Sequence, residues 1–65
     1  MSESLQEKWK RYADYINEYG DDCLNDWEAD FMESITEHLE FGEELSFKQS
    51  SVLSRIYHKV EERRG

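Results

Sequence analysis

Apolar and aromatic residues recur at steps of three and four along three stretches of this 65-residue chain. That period is typical of one apolar face on an α-helix, and it predicts helices over residues 4–19, 26–41 and 47–63. No stretch alternates apolar and polar positions as a half-buried strand would, so the predicted fold class is all-α. The three apolar stripes are Leu5, Trp9, Tyr12, Ile16 and Tyr19; Trp27, Phe31, Ile35 and Leu39; and Leu53, Ile56, Tyr57 and Val60.

Capping signals agree with these boundaries. Gly20 and Gly42 follow the first and second predicted helices, and Gly20 is expected in the left-handed conformation that often ends a helix. Glu28 falls inside the apolar arc of the second helix, where its position three residues after a cap explains it better than a role as a buried catalytic acid. The predicted N-terminal caps are Ser2 or Ser4, Asn25 with Glu28, and Ser46 with Gln49.

The length of the chain limits the architecture that these helices can build. It holds one small domain over residues 1–65, and loops of about five residues favour antiparallel neighbours. The sequence therefore predicts a compact three-helix bundle; an open helical hairpin that completes its core by dimerisation is the alternative. A chain this short has little room for a rigid active-site cleft, so we expect a protein that is not an enzyme.

Charge restricts the classes of partner. Sixteen acidic against eight basic residues give a net charge of −8, which opposes direct binding to nucleic acid or to an anionic membrane. The acidic N-terminus precedes no long apolar run, so we expect no signal peptide, no membrane span and a cytoplasmic location. Cys23, His38 and His58 lie in different segments without metal-ligand spacing, so neither a metal nor a cofactor is expected.

Most of the acidic residues fall in the middle of the chain. Between Tyr12 and Phe47 there are twelve acids and no Lys or Arg. Five of these acids recur at steps of four and three along the second predicted helix, over roughly 21 Å, on the side away from its apolar stripe. Glu44 continues them into the next loop. We call this set the acidic face: Asp26, Asp30, Glu33, Glu37, Glu40 and Glu44.

Two interpretations of the acidic face compete. One is a surface that imitates a nucleic-acid backbone and occupies a basic groove on a target protein. DNA carries a phosphate every ~3.4 Å per strand and this row carries a carboxylate every ~5 Å, which is sparser but of the same order. Like charges one turn apart destabilise a helix by about 0.2–0.5 kcal/mol per pair, so a helix selected only for stability usually mixes signs. The other interpretation is a solvated surface with neighbouring cations crossing to it, namely Lys8, Lys10, Arg55 or Lys59.

Three aromatic residues, Tyr15, Phe41 and Phe47, fall outside the predicted apolar stripes. Aromatic side chains grouped on a surface are typical of protein interfaces, so these three form the alternative predicted binding site. In that alternative the chain is a small structural or accessory interaction module, or a homodimer. It then binds through its aromatic surface, and the acidic residues serve only solubility.

A further pattern joins the second and third predicted helices: Trp27-Glu28, Phe31 and Ser34-Ile35, followed by Leu45-Ser46, Lys48-Gln49, Leu53 and Ile56. It covers about half of the chain and resembles small helical proteins and modules met in phages and prophages. The resemblance implies a mobile-element context, in which short acidic proteins often inhibit host nucleases or defence complexes, and it supplies no catalytic residues. The leading hypothesis is a phage-type inhibitor whose acidic face mimics nucleic acid and blocks a basic site on a nucleic-acid-binding or defence protein.

Overall fold

Three α-helices account for most of the chain in a computed structural model that describes residues 4–20 and 22–64. They are α1 (Leu5–Tyr19), α2 (Asp26–Glu40) and α3 (Phe47–Arg64), and each agrees with its predicted bounds to within one residue. The helices form an all-α bundle, and the part of the chain that the structure describes contains no strand. The predicted fold class and the three-helix arrangement are confirmed.

Reciprocal hydrogen bonds begin each of these helices. The side chain of the capping residue accepts the backbone N–H of the third helical residue, whose own side chain accepts the N–H of the cap. The cap of α1 is Ser4; Ser2, the other predicted cap, lies outside the described residues. The three capping boxes are Ser4 with Glu7, Asn25 with Glu28, and Ser46 with Gln49.

The helices run up, down and up around an apolar core. Lys59 near the end of α3 bonds to Glu28 near the start of α2, so these two helices are antiparallel. Arg64 bonds to Tyr15, so α1 and α3 end at the same side of the bundle. None of the described polar or charged residues is buried. The buried hydrophobic residues that form the core are Ala13, Ile16, Met32, Ile35, Leu39, Leu53, Ile56 and Val60.

Three residues of the predicted apolar stripes are exposed instead of packing on this core. Leu5 is 68% exposed, Trp27 is 62% exposed, and Tyr19 is also exposed. Each lies in the first or last turn of its helix, where the neighbouring helices no longer cover the stripe. The period of the sequence places a residue on a helix face, but burial also requires a neighbouring helix above it.

Two glycines follow helices for different physical reasons. Gly42 has a φ of 76°, in the left-handed region that side chains rarely adopt, and it ends α2. The expectation of a left-handed Gly20 is wrong, because its φ is −95°. A Cβ on Gly20 would lie 2.6 Å from the Ile16 carbonyl oxygen and 3.2 Å from a Val60 methyl group. Gly20 is therefore needed because a side chain would collide with the last turn of α1 itself and would also press on Val60 of α3.

Glu28 joins the start of α2 to α3. Its carboxylate accepts hydrogen bonds from Lys59 Nζ at 2.8 Å and from the backbone N–H of Asn25 at 3.1 Å. The bond from Lys59 lowers the pKa of the Glu28 carboxyl below its ordinary value, and the bond from Asn25 acts in the same direction, although desolvation opposes both. Glu28 thus caps one helix and ties it to another.

Substitutions at the two glycines should separate steric from conformational requirements. Gly20→Ala should lower the free energy of unfolding by about 1–3 kcal/mol, because its methyl group has no room. Gly42→Ala should cost about 1–2 kcal/mol through the left-handed backbone. Asparagine tolerates that conformation, so Gly42→Asn should lower the free energy of unfolding less than Gly42→Ala does. At Gly20 the larger asparagine side chain should lower it more than alanine does. Thermal unfolding followed by circular dichroism measures the four variants, and the same order at both positions would contradict this explanation.

Glu28→Gln should lower the free energy of unfolding at neutral pH by about 1 kcal/mol, because glutamine keeps the capping box but loses the ion pair with the partly exposed Lys59. The lowered pKa means that the carboxylate stabilises the fold fully at pH values above its ordinary, unfolded-state pKa, and that this contribution is lost as pH falls through the folded-state pKa. Urea unfolding at neutral and acidic pH measures the difference, with Glu62→Gln as a control. A difference that persists unchanged in acid would contradict the assignment.

Candidate partner-binding surface

The acidic face is fully accessible. All six of its residues are exposed, and five of them lie on α2 on the side opposite Ile35 and Leu39. Glu37 and Glu40 lie close to α1, since both line a surface hollow together with Asn17 of that helix. Glu44 lies beyond α2, in the loop that leads to α3. The structure therefore places five of the predicted carboxylates along one side of α2, with Glu37 and Glu40 close to α1 and Glu44 in the loop beyond the helix.

The carboxylates of this row have no counter-ions among the residues that the structure describes. None of the six forms an ion pair or a side-chain hydrogen bond among residues 4–20 and 22–64. Lys59 bonds to Glu28 instead, and Lys8 lies over the Trp9 ring at 5.0 Å from its centroid. Lys10 borders a hollow beside Glu40 without forming an ion pair with it. Only solvent and dissolved ions therefore screen the like-charge repulsion along α2.

A groove accompanies the acidic face along the α1–α2 interface. It consists of three adjoining hollows of about 420, 290 and 640 Å³. The first and second hollows share Leu39, and the second and third share Thr36 and Glu40. Asn17 Nδ2 donates a 3.0 Å hydrogen bond to Thr36 Oγ1 across the interface. We call this continuous depression the α1–α2 groove.

The three aromatic residues of the alternative site do not form one surface. Phe41 is 74% exposed and borders the third hollow beside Glu37 and Glu40, so it adjoins the acidic face. Phe47 is 88% exposed at the first residue of α3. Tyr15 is half-buried near the other end of the bundle, where its ring contacts Tyr57. The helical period showed that these residues fall outside the apolar stripes, but it could not show whether they are neighbours in the folded chain.

Tyrosines and cations fill the α1–α3 interface, which sequence reasoning missed. The Tyr12 and Tyr57 rings stack with their centroids 3.9 Å apart. Arg64 lies 3.8 Å from the centroid of the Tyr19 ring, and its Nη1 donates a 3.4 Å hydrogen bond to Tyr15 Oη. Desolvation among these groups raises the pKa of the Tyr57 hydroxyl. The recurrence of Tyr12, Tyr15 and Tyr19 along one side of α1 is the signal that could have revealed this interface.

Trp27 is the second feature that the sequence did not reveal. Its ring stacks on Phe31 with centroids 5.5 Å apart and planes 12° from parallel, yet it remains largely exposed. Phe31 is half-buried and packs against the core. The stack therefore leaves a large apolar surface near the start of α2.

Histidine and cysteine side chains form no recognisable metal centre. His38 Nδ1 lies 2.5 Å from Glu43 Oε2, and Cys23 is a free, half-buried thiol. Across the described ranges no three His, Cys, Asp or Glu residues are grouped so as to hold a metal ion. A helix both long and apolar enough to cross a membrane is likewise absent from those ranges.

Comparisons with protein-family models, with curated proteins and with solved structures gave no match. The interpretation of these surfaces therefore depends on their own geometry.

Neutralising the middle of the acidic face should stabilise the protein. Glu33→Gln combined with Glu37→Gln removes three like-charge pairs and should raise the free energy of unfolding by about 1 kcal/mol at low salt. The control, Asp22→Asn combined with Glu62→Gln, removes the same number of charges from exposed positions outside the row. Urea unfolding at low and high salt compares the two. Equal stabilisation of both variants would mean that net charge, and not the row, is responsible.

Proposed function

We propose that this protein is a non-enzymatic binding module that attaches to a basic surface of another protein through its acidic face. The observation that carries the proposal is a row of exposed carboxylates that have no counter-ions among the described residues. The row spans roughly 21 Å along α2 at 1.5 Å per residue. A cation-rich partner would supply the charges that this bundle does not.

The finer proposal is that the row imitates a nucleic-acid backbone. The protein would then inhibit a nucleic-acid-binding or defence protein by occupying its basic site, as the resemblance to small phage and prophage proteins implies. A net charge of −8 supports long-range attraction to such a target and opposes direct contact with nucleic acid. We place this activity in the cytoplasm.

A second candidate is an accessory module or homodimer that binds through aromatic side chains. The exposure of Trp27 and Phe47 favours it, since large exposed aromatic rings are typical anchors of interfaces. Binding of this kind depends mainly on buried apolar area, so raised salt should weaken it little.

Affinity capture with immobilised protein tests the proposed function. At low salt the protein should retain a nucleic-acid-binding protein, and both raised salt and added duplex DNA should release it. Glu33→Lys combined with Glu37→Lys should abolish capture while the helical content by circular dichroism is unchanged. Asp22→Lys combined with Glu62→Lys is the matched control, because it changes net charge equally away from the row.

The outcomes of this experiment separate the candidates. Equal loss of capture in both charge variants would show that net charge alone is responsible and would reject a site on α2. Capture that resists salt and is lost in Trp27→Ser or Phe47→Ser would favour the aromatic candidate.

A further inference from the structure

The α1–α2 groove has the surface properties of a site for an amphipathic segment. Its accessible apolar surface comes from Leu5 in the first hollow and Phe41 in the third, which are both largely exposed. Beneath the hollows, Ala13, Met32 and Leu39 are buried. The margins are acidic, since Glu33, Glu37 and Glu40 border the third hollow. A ligand of nucleic-acid type would use the margins but leave Leu5 and Phe41 exposed, so these two side chains point to a different kind of occupant.

Small side chains explain why the groove exists. Ala13 lines the second hollow and the exposed Ala29 lines the third, and larger residues at these positions would fill the surface between the helices. Thr36 contributes a short side chain that is already hydrogen-bonded to Asn17. The opposite interface of α1 is closed by stacked tyrosines, so the open groove belongs to the α1–α2 side of the bundle.

The first hollow adds one carboxylate that an occupant could meet. Glu44 borders it as an exposed side chain without an ion pair among the described residues. Gln6 also lines this hollow, and its buried Nε2 has no hydrogen-bond acceptor among the described residues. Because that nitrogen has no accessible surface, Glu44 and not Gln6 is the polar group that an occupant would contact here.

We propose that the α1–α2 groove binds a basic amphipathic helix of a partner protein. This inference rests on the proposed function, because it names the kind of basic surface that the acidic face recognises. Charge complementarity identifies the occupant: lysine or arginine side chains pair with the acidic margins, while apolar side chains on the other side of the segment enter the hollows. A length of roughly 21 Å accommodates about four helical turns, so anchors at i, i+3 or i+4 and i+7 fit within it.

Two exposed residues of the groove make the proposal testable without disturbing the core. Leu5 borders the first hollow and Phe41 borders the third. Both are largely exposed, so replacing them with serine should leave the fold intact. Phe47 is a matched control, because it is a more exposed aromatic residue and lines none of the three hollows.

The experiment uses two synthetic peptides of about 18 residues, long enough for a helix of roughly 27 Å. One carries leucine at helical spacing and lysine elsewhere; the other replaces each leucine with glutamine and has the same charge. Calorimetry should show that the leucine peptide binds at least about tenfold more tightly, since each buried leucine contributes about that factor. Leu5→Ser combined with Phe41→Ser should remove most of this preference, and Phe47→Ser should not.

The results distinguish failure of this inference from failure of the proposed function. Equal affinity of the two peptides, lost together at high salt, would overturn the groove as a binding site and leave charge recognition by the acidic face intact. No binding of either peptide at low salt would overturn both. A leucine preference that survives Leu5→Ser with Phe41→Ser but is lost in Phe47→Ser would place the apolar contact outside the groove and overturn the assignment.

Discussion

The packing of α1 against both other helices is the contact on which the rest of this bundle depends. α1 packs closely on α2 and on α3, whereas α2 and α3 meet less. Side-chain size distinguishes the two interfaces of α1. Tyr12 and Tyr57 stack and close one of them, while Ala13 and Thr36 leave the other open at the surface. Because interiors pack densely, this difference in size decides on which side another molecule's side chains can enter.

The basic and acidic side chains also lie on different sides of the bundle. Four of the eight basic residues lie against aromatic rings or against the Glu28 carboxylate. Those contacts hold cations at the α1–α3 and α2–α3 interfaces and leave the acidic face uncompensated. Exposed ion pairs contribute little to stability, so the fold tolerates this arrangement. The four residues are Lys8, Arg11, Lys59 and Arg64.

Local signals made the helices predictable, and tertiary contacts account for the errors. Capping boxes and the apolar period depend on neighbouring residues along the chain, so the helix bounds and the cap at Asn25 followed from sequence. The exposure of Trp27 and the close packing around Gly20 depend on how far a second helix extends over each residue. No local pattern in the sequence records that distance. The exposure of the acidic face follows helical phase, whereas the adjoining groove and the position of Phe41 beside it depend on the α1–α2 contact.

Repulsion along the acidic face and the exposed apolar side chains of the groove both affect the free energy of the folded state. The repulsion lowers the stability of a bundle whose core is small, and Leu5 and Phe41 leave apolar area in water. A basic amphipathic segment would relieve both, so its binding would stabilise the folded state by linkage. The two contributions differ physically, because salt screens the charge contacts but does not screen apolar burial. The salt-resistant part of the affinity for such a segment therefore measures its apolar contacts, and the salt-sensitive part measures its contacts with the carboxylates.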